Sequence, residues 1–234
     1  EGSNPTTLPE FATVAQALVP EVKADLVQVL RQRVASPEVR EAMVRRIMEA
    51  KVKIELGSAE MSYNPEENQV HAGMLFFQED RSEQRRNFSL FSFVQAVGHE
   101  LAHSIDPCNA TKTIGGRHPA FLRVERRTLA QAIESYPIRA LSCLASPASV
   151  GIGAPSMGDA TRTQNGAELC RKIRLSETFA DYMAAEVLSL FAQKVAPILT
   201  RQQLINGFAN IYSLTCHAKY TPQSGGEAVH PNVA

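Results

Sequence analysis

The 234-residue chain lacks the features that would announce a large anionic partner. Lys+Arg and Asp+Glu both count 24, so no excess of positive charge argues for nucleic acid or an anionic membrane surface. RNA-recognition, zinc-finger and basic-helix signatures are missing. No apolar run reaches the ~18 residues that a membrane-spanning helix needs. The opening "EGSNPTTLPEF" has no charged segment leading into an apolar one, so any signal peptide is expected to have been removed already. Cys108, Cys143, Cys170 and Cys216 form no CxxC pair, which excludes a thiolate zinc site of the usual spacing. Nor is there an internal repeat.

What is present describes a packed, mixed fold. Hydrophobic residues make up 44% and charged residues 21%, which predicts a core and excludes global disorder. Apolar positions at helical spacing from Phe11 to Leu30 predict a helix over residues 10–35, interrupted or kinked at Pro20. "SPEVREAMVRRIMEA" is a second helix, with Ser36 as N-cap and Pro37 at its first position. The alternation in "KVKIELG" predicts a strand. "MSYNPEENQVHAGMLFF" predicts two short strands around a turn. "FSLFSFVQAVGHELAHSI" is apolar nearly all round and reads as a buried helix, stopped at Pro107. Further helices are expected in "AFLRVERRTLAQAIESY", in "LSETFADYMAAEVLSLFAQKV" with Ser176 placed as its cap, and in "TRQQLINGFANIYSLTC". A Gly/Ser/Pro-rich excursion and an irregular tail complete the chain. The expected class is α+β and mainly helical. A single domain would span 1–234, with a lobe at 1–108 carrying the sheet and the motif helix and a helical lobe at 109–234.

The chemistry is concentrated in "VGHELAHSID". Residues four apart on a helix lie within ~40° of one face and ~6 Å along the axis, so His99 and His103 can both reach one ion. Glu100 beside them can reach a water on that ion. Hydrolytic zinc usually takes three protein ligands. The strongest candidate for the third is Glu177, at the head of "ETFAD". Asp181, one turn on, can accept the N–H of a ligand histidine and fix its tautomer. The alternative is a buried cluster of mutually hydrogen-bonded polar groups with no ion. Such groups in so apolar a run are costly without partners.

These motifs resemble those of the neprilysin-like zinc metallopeptidases, within the thermolysin-like gluzincin group. "VGHELAHSID" looks like that family's "GHExTHxFD" helix, and "LSETFAD" is similar to its "LGENIAD". "NQVHAGML" and "YSLTCHAKYTP" resemble the stretches that precede and follow them in family order. The resemblance runs over roughly residues 55–232. It implies a thermolysin-like catalytic domain that hydrolyses peptide bonds with Zn2+ held by His99, His103 and Glu177. Glu100 would be the general base, and Asp181 would orient His99. His230 would stabilise the oxyanion, with His118 a rival for that role. Tyr63, His71 and Ala72 would lie along the substrate-binding sheet edge.

The chain also departs from the family pattern. Glu60 stands where the family's backbone-clamping Asn is expected, the last motif reads "VHPN", and the family's carboxylate-binding arginine would fall past Ala234. Only about 55 residues precede the edge strand, where the family has a large helical lid domain. If the chain is complete, the cleft should be open or covered by a protein partner. A secreted or periplasmic location follows from the same reading. Two disulfides are then expected, with four buried thiols as the alternative. Cys143 with Cys170 is an attractive pair because it would tie off the Gly/Ser/Pro loop. Two other readings remain at this point: a different gluzincin with the same ligands, and a zinc-binding scaffold or pseudo-peptidase acting in an assembly.

Overall fold

The computed structural model describes residues 7–77, 90–106 and 175–217. The expectations for residues 109–165 and for the tail lie outside that set. So do Cys108, Cys143 and Cys170, His118 and His230.

Helix α1 (Leu8–Arg33) begins two residues before the expected start because Thr7 and Glu10 cap each other reciprocally. Thr7 accepts from the Glu10 amide, and the Glu10 carboxylate accepts from the Thr7 amide at 2.7 Å. It continues through Pro20 without a break, contrary to the expected interruption. Residues Val19, Val22, Leu26 and Leu30 bury one face across the proline, and that packing offsets the lost backbone hydrogen bond. Helix α2 (Pro37–Glu49) starts as its sequence predicts, with the Ser36 hydroxyl accepting from the Val39 amide.

Strands β1 (Lys51–Glu55), β2 (Met61–Asn64) and β3 (Gln69–Gly73) form a mixed sheet in the order β1-β3-β2. β3 pairs with β1 in parallel, Lys53 opposite His71, and antiparallel with β2, Tyr63 opposite Val70. The turn between β2 and β3 is secured by Asn68, which takes the left-handed φ of 49° that Asn tolerates better than most side chains. Its amide also donates to the Arg46 carbonyl at 3.0 Å. Gly73 is required by a close approach: a Cβ there would lie 2.5 Å from the Ser58 carbonyl oxygen and 2.7 Å from two backbone atoms of Glu60. A 3-10 turn (Met74–Phe77) follows.

Helix α3 (Leu90–Ala102) is buried at every position except Leu90 and Gln95, as its all-round apolar pattern predicts. Its Phe93 meets Phe11 and Phe77 edge-on, at centroid distances of 6.2 and 5.4 Å. Helix α4 (Leu175–Val195) packs along α3, and Phe179, Met183 and Val187 are buried in the same core. Helix α5 (Arg201–His217) also lies against α3, with Phe208 edge-on to Phe91. Lys194 on α4 reaches across to α1, where the carboxylate of the buried Asp25 lies 2.5 Å away. The described residues are mainly helical with one small mixed sheet, an α+β arrangement. None of their helices is long and apolar enough to cross a membrane.

Candidate metal centre

The site forms where the end of α3 meets the start of α4. Helix α3 ends at Ala102, yet the His103 amide still donates to the His99 carbonyl at 3.3 Å. The helical offset between the two histidines is therefore kept. Beyond it the chain tightens: Ser104 and Ile105 donate three residues back instead of four. That tightening turns Asp106 inward, where it is fully buried.

Each histidine is held from behind by a carboxylate. His99 Nδ1 donates to Asp181 Oδ1 at 2.8 Å, and His103 Nδ1 donates to Asp106 Oδ2 at 2.9 Å. A carboxylate only accepts, so both Nδ1 atoms carry a proton and both Nε2 atoms face forward. The two Nε2 atoms lie 3.1 Å apart. Glu177 closes the set, with one carboxylate oxygen 3.3 Å from His99 Nε2 and the other 3.6 Å from His103 Nε2. His99, His103 and Glu177 can each offer an atom to one ion, all within 4.8 Å of one another.

These distances fit the chemistry of the donor set. Two ligands of a tetrahedral zinc ion at 2.0–2.1 Å are about 3.3–3.4 Å apart; the Nε2–Nε2 separation of 3.1 Å is close to that value, and Glu177 presents a different oxygen to each histidine, at 3.3 and 3.6 Å. Two neutral imidazoles and a carboxylate suit a borderline-soft divalent cation. Each imidazole carries the outer carboxylate typical of metal-bound histidine.

Charge also collects around the site. Burial by itself pulls the His99 imidazole down. The hydrogen bonds the ring donates to Asp181 and Glu177 and the nearby Glu100 charge outweigh it, and His99 is pushed up to about 10. Without a metal, His99 therefore keeps a proton on Nε2 as well, facing Glu177 and His103. That proton occupies the position an ion would take. Glu100 is 6% exposed on the same turn of α3.

Of the residues picked out in the sequence, His99, Glu100, His103, Glu177 and Asp181 come together at this one junction. Tyr63, His71 and Ala72 belong to the adjoining sheet, whose β2 and β3 pack on α3. Tyr63 lies on β2, which among the described residues is paired on one side only. Its hydroxyl donates to Asn68 Oδ1 at 2.8 Å and accepts from Arg46 at 3.0 Å. Burial pushes its phenol up, so it stays protonated. Ala72 and His71 lie on the central strand, whose backbone is already paired on both sides. Ala72 is fully buried, and His71 is tied to Glu55 at 3.3 Å.

Two roles were missed in the sequence. Asp106 closes the quoted motif, and its position three residues after His103 is the sequence signal for its role. Ser176 does not cap α4, whose first residue is Leu175. Its hydroxyl turns to Asp106 instead, at 2.8 Å. At Gly98, beside the motif, an added Cβ would be in ordinary contact with Val187 at 3.5 Å, so the α3–α4 crossing does not itself demand glycine.

Comparison of the chain with known protein families, curated proteins and solved structures finds no match.

Proposed function

We propose that the protein is a zinc-dependent metallopeptidase of the thermolysin-like kind, acting on a peptide or protein substrate. The observation that carries the reading is the convergence of His99, His103 and the Glu177 carboxylate, whose ligand atoms lie within 4.8 Å of one another, next to the buried Glu100. His99, His103 and Glu177 would hold a zinc ion that would supply Lewis acidity and an acidified water. Glu100 takes the proton from the attacking water and returns it to the leaving amine, which turns a poor leaving group into a neutral one. Asp181 and Asp106 keep each imidazole in the tautomer whose lone pair faces forward. An extended substrate is recognised through its backbone by adding to the side of β2 that is unpaired among the described residues. Tyr63 contributes there through its main chain, since its hydroxyl is engaged by Arg46 and Asn68.

The test combines metal analysis with a peptide-library cleavage assay on wild-type protein and on Glu100→Gln. Bound zinc together with cleavage that vanishes in Glu100→Gln supports the reading. A well-folded, zinc-loaded wild type that cleaves nothing would sink it and leave the zinc-binding scaffold instead.

A further inference from the structure

The Ser176 hydroxyl sits between the two halves of the metal centre. Its Oγ is 2.8 Å from Asp106 Oδ2 and 3.1 Å from His103 Nδ1, while those two atoms are 2.9 Å from each other. Two protons serve this triangle. The hydroxyl has one to give, and it goes to the fully buried Asp106, which needs donors because it has no access to solvent. The Nδ1 proton of His103 is then shared between Asp106 and a lone pair of Ser176. Ser176 is also the residue immediately before Glu177. One side chain thus links the brace of His103 on the α3 side to the backbone that carries the third ligand on α4, across 70 residues of chain.

We propose that Ser176 is a positioning residue of the metal centre, a hydroxyl clasp that sets Glu177 against His103 and so raises metal affinity. It rests on the metal reading of His99, His103 and Glu177. It adds that the relative placement of the ligands depends on a group that touches no metal. Helix capping would give a different role, since a cap satisfies backbone amides of its own helix. The hydroxyl described here is spent on another element.

The experiment measures zinc dissociation constants by chelator competition for wild type, Ser176→Ala and Ser176→Thr, with melting temperatures of the metal-free and zinc-loaded forms. Removing a group that orients a ligand typically weakens metal binding 10- to 100-fold. Ser176→Ala should therefore bind zinc at least about tenfold more weakly, and its melting temperature should fall further below wild type in the zinc-loaded form than in the metal-free form, where only the Asp106 hydrogen bond is lost. Ser176→Thr, which keeps the hydroxyl, should recover most of the affinity. Equal affinity in wild type and Ser176→Ala overturns the proposal. So does a Ser176→Ala protein that melts as far below wild type without zinc as with it, or that does not fold, because the hydroxyl then serves the fold and not the ligands. Loss of affinity in Ser176→Thr equal to that in Ser176→Ala overturns it as well. A folded wild type that binds no zinc overturns the metal reading itself, and the clasp with it.

Discussion

Raising the pH of the metal-free protein should deprotonate His99 near 10, far above the ordinary imidazole value of 6.5. At pH 8.5 the ring is then about 97% protonated, where an unperturbed histidine would be about 1% protonated. The sign of the linked stability follows. The folded-state value is raised, so the contribution is complete below about 6.5, declines as the pH rises, and is gone above about 10. At 1.36 kcal/mol for each pH unit of displacement, the stability at stake is on the order of 5 kcal/mol for this buried ring. The metal-free protein should therefore lose denaturant resistance steadily between pH 7 and 10. Zinc displaces the same proton, so the loaded protein should not share that His99-linked loss. Imidazole NMR on the metal-free protein, with denaturant melts at several pH values, measures both effects. A His99 ring that titrates near 6.5 would refute the reasoning, because Asp181 and Glu177 would then not be holding its proton.

Glu100→Gln should retain zinc at near wild-type stoichiometry while peptide hydrolysis falls by about 10²–10⁴-fold, as read by metal analysis and a fluorogenic peptide assay. Lys194→Met should destabilise the fold by about 3 kcal/mol in a denaturant melt, because it strands the buried Asp25 carboxylate; an unchanged melt would show that Asp25 does not depend on the pair. Gly73→Ala should cost about 1–3 kcal/mol, since its Cβ meets backbone that cannot swing aside. Phe93→Ala, which opens the aromatic cluster with Phe11 and Phe77, should cost about 3–5 kcal/mol.

Local pattern carried much of this structure. The apolar saturation of α3, the Ser36 cap and the alternation in β1 to β3 are properties of contiguous residues, and each was readable as such. The proline in α1 misled because propensity ignores what the flanking turns bury, here Val19, Val22 and Leu26. Strand order was equally hidden. Alternation tells which face of a strand is buried but not which neighbour it pairs with, and β3 lies in the centre although it is last in sequence. In the site, His99, His103 and Glu100 were legible from helical spacing alone. Glu177 and Asp181 needed a second motif to be set beside the first. Asp106 carries a local signal in its place three residues after His103, whereas Ser176 was beyond pattern reading because its partnership with Asp106 arises only where the tightened end of α3 meets the first turn of α4.

The two histidines are braced unequally, and the difference has a kinetic meaning. His103 and Asp106 are three residues apart, so that half of the site can form as soon as the end of α3 does. The Asp181 brace of His99 and the ligand Glu177 both arrive on α4, more than 70 residues later in the chain. On the metal reading, ion binding would therefore come late and would report the docking of two helices distant in sequence. An ion at 1,000 times its dissociation constant adds about 4.1 kcal/mol to the state that binds it. On the metal reading that gain would fall on the α3–α4 seam, so the supply of the ion would govern how long the two helices stay closed against proteolysis.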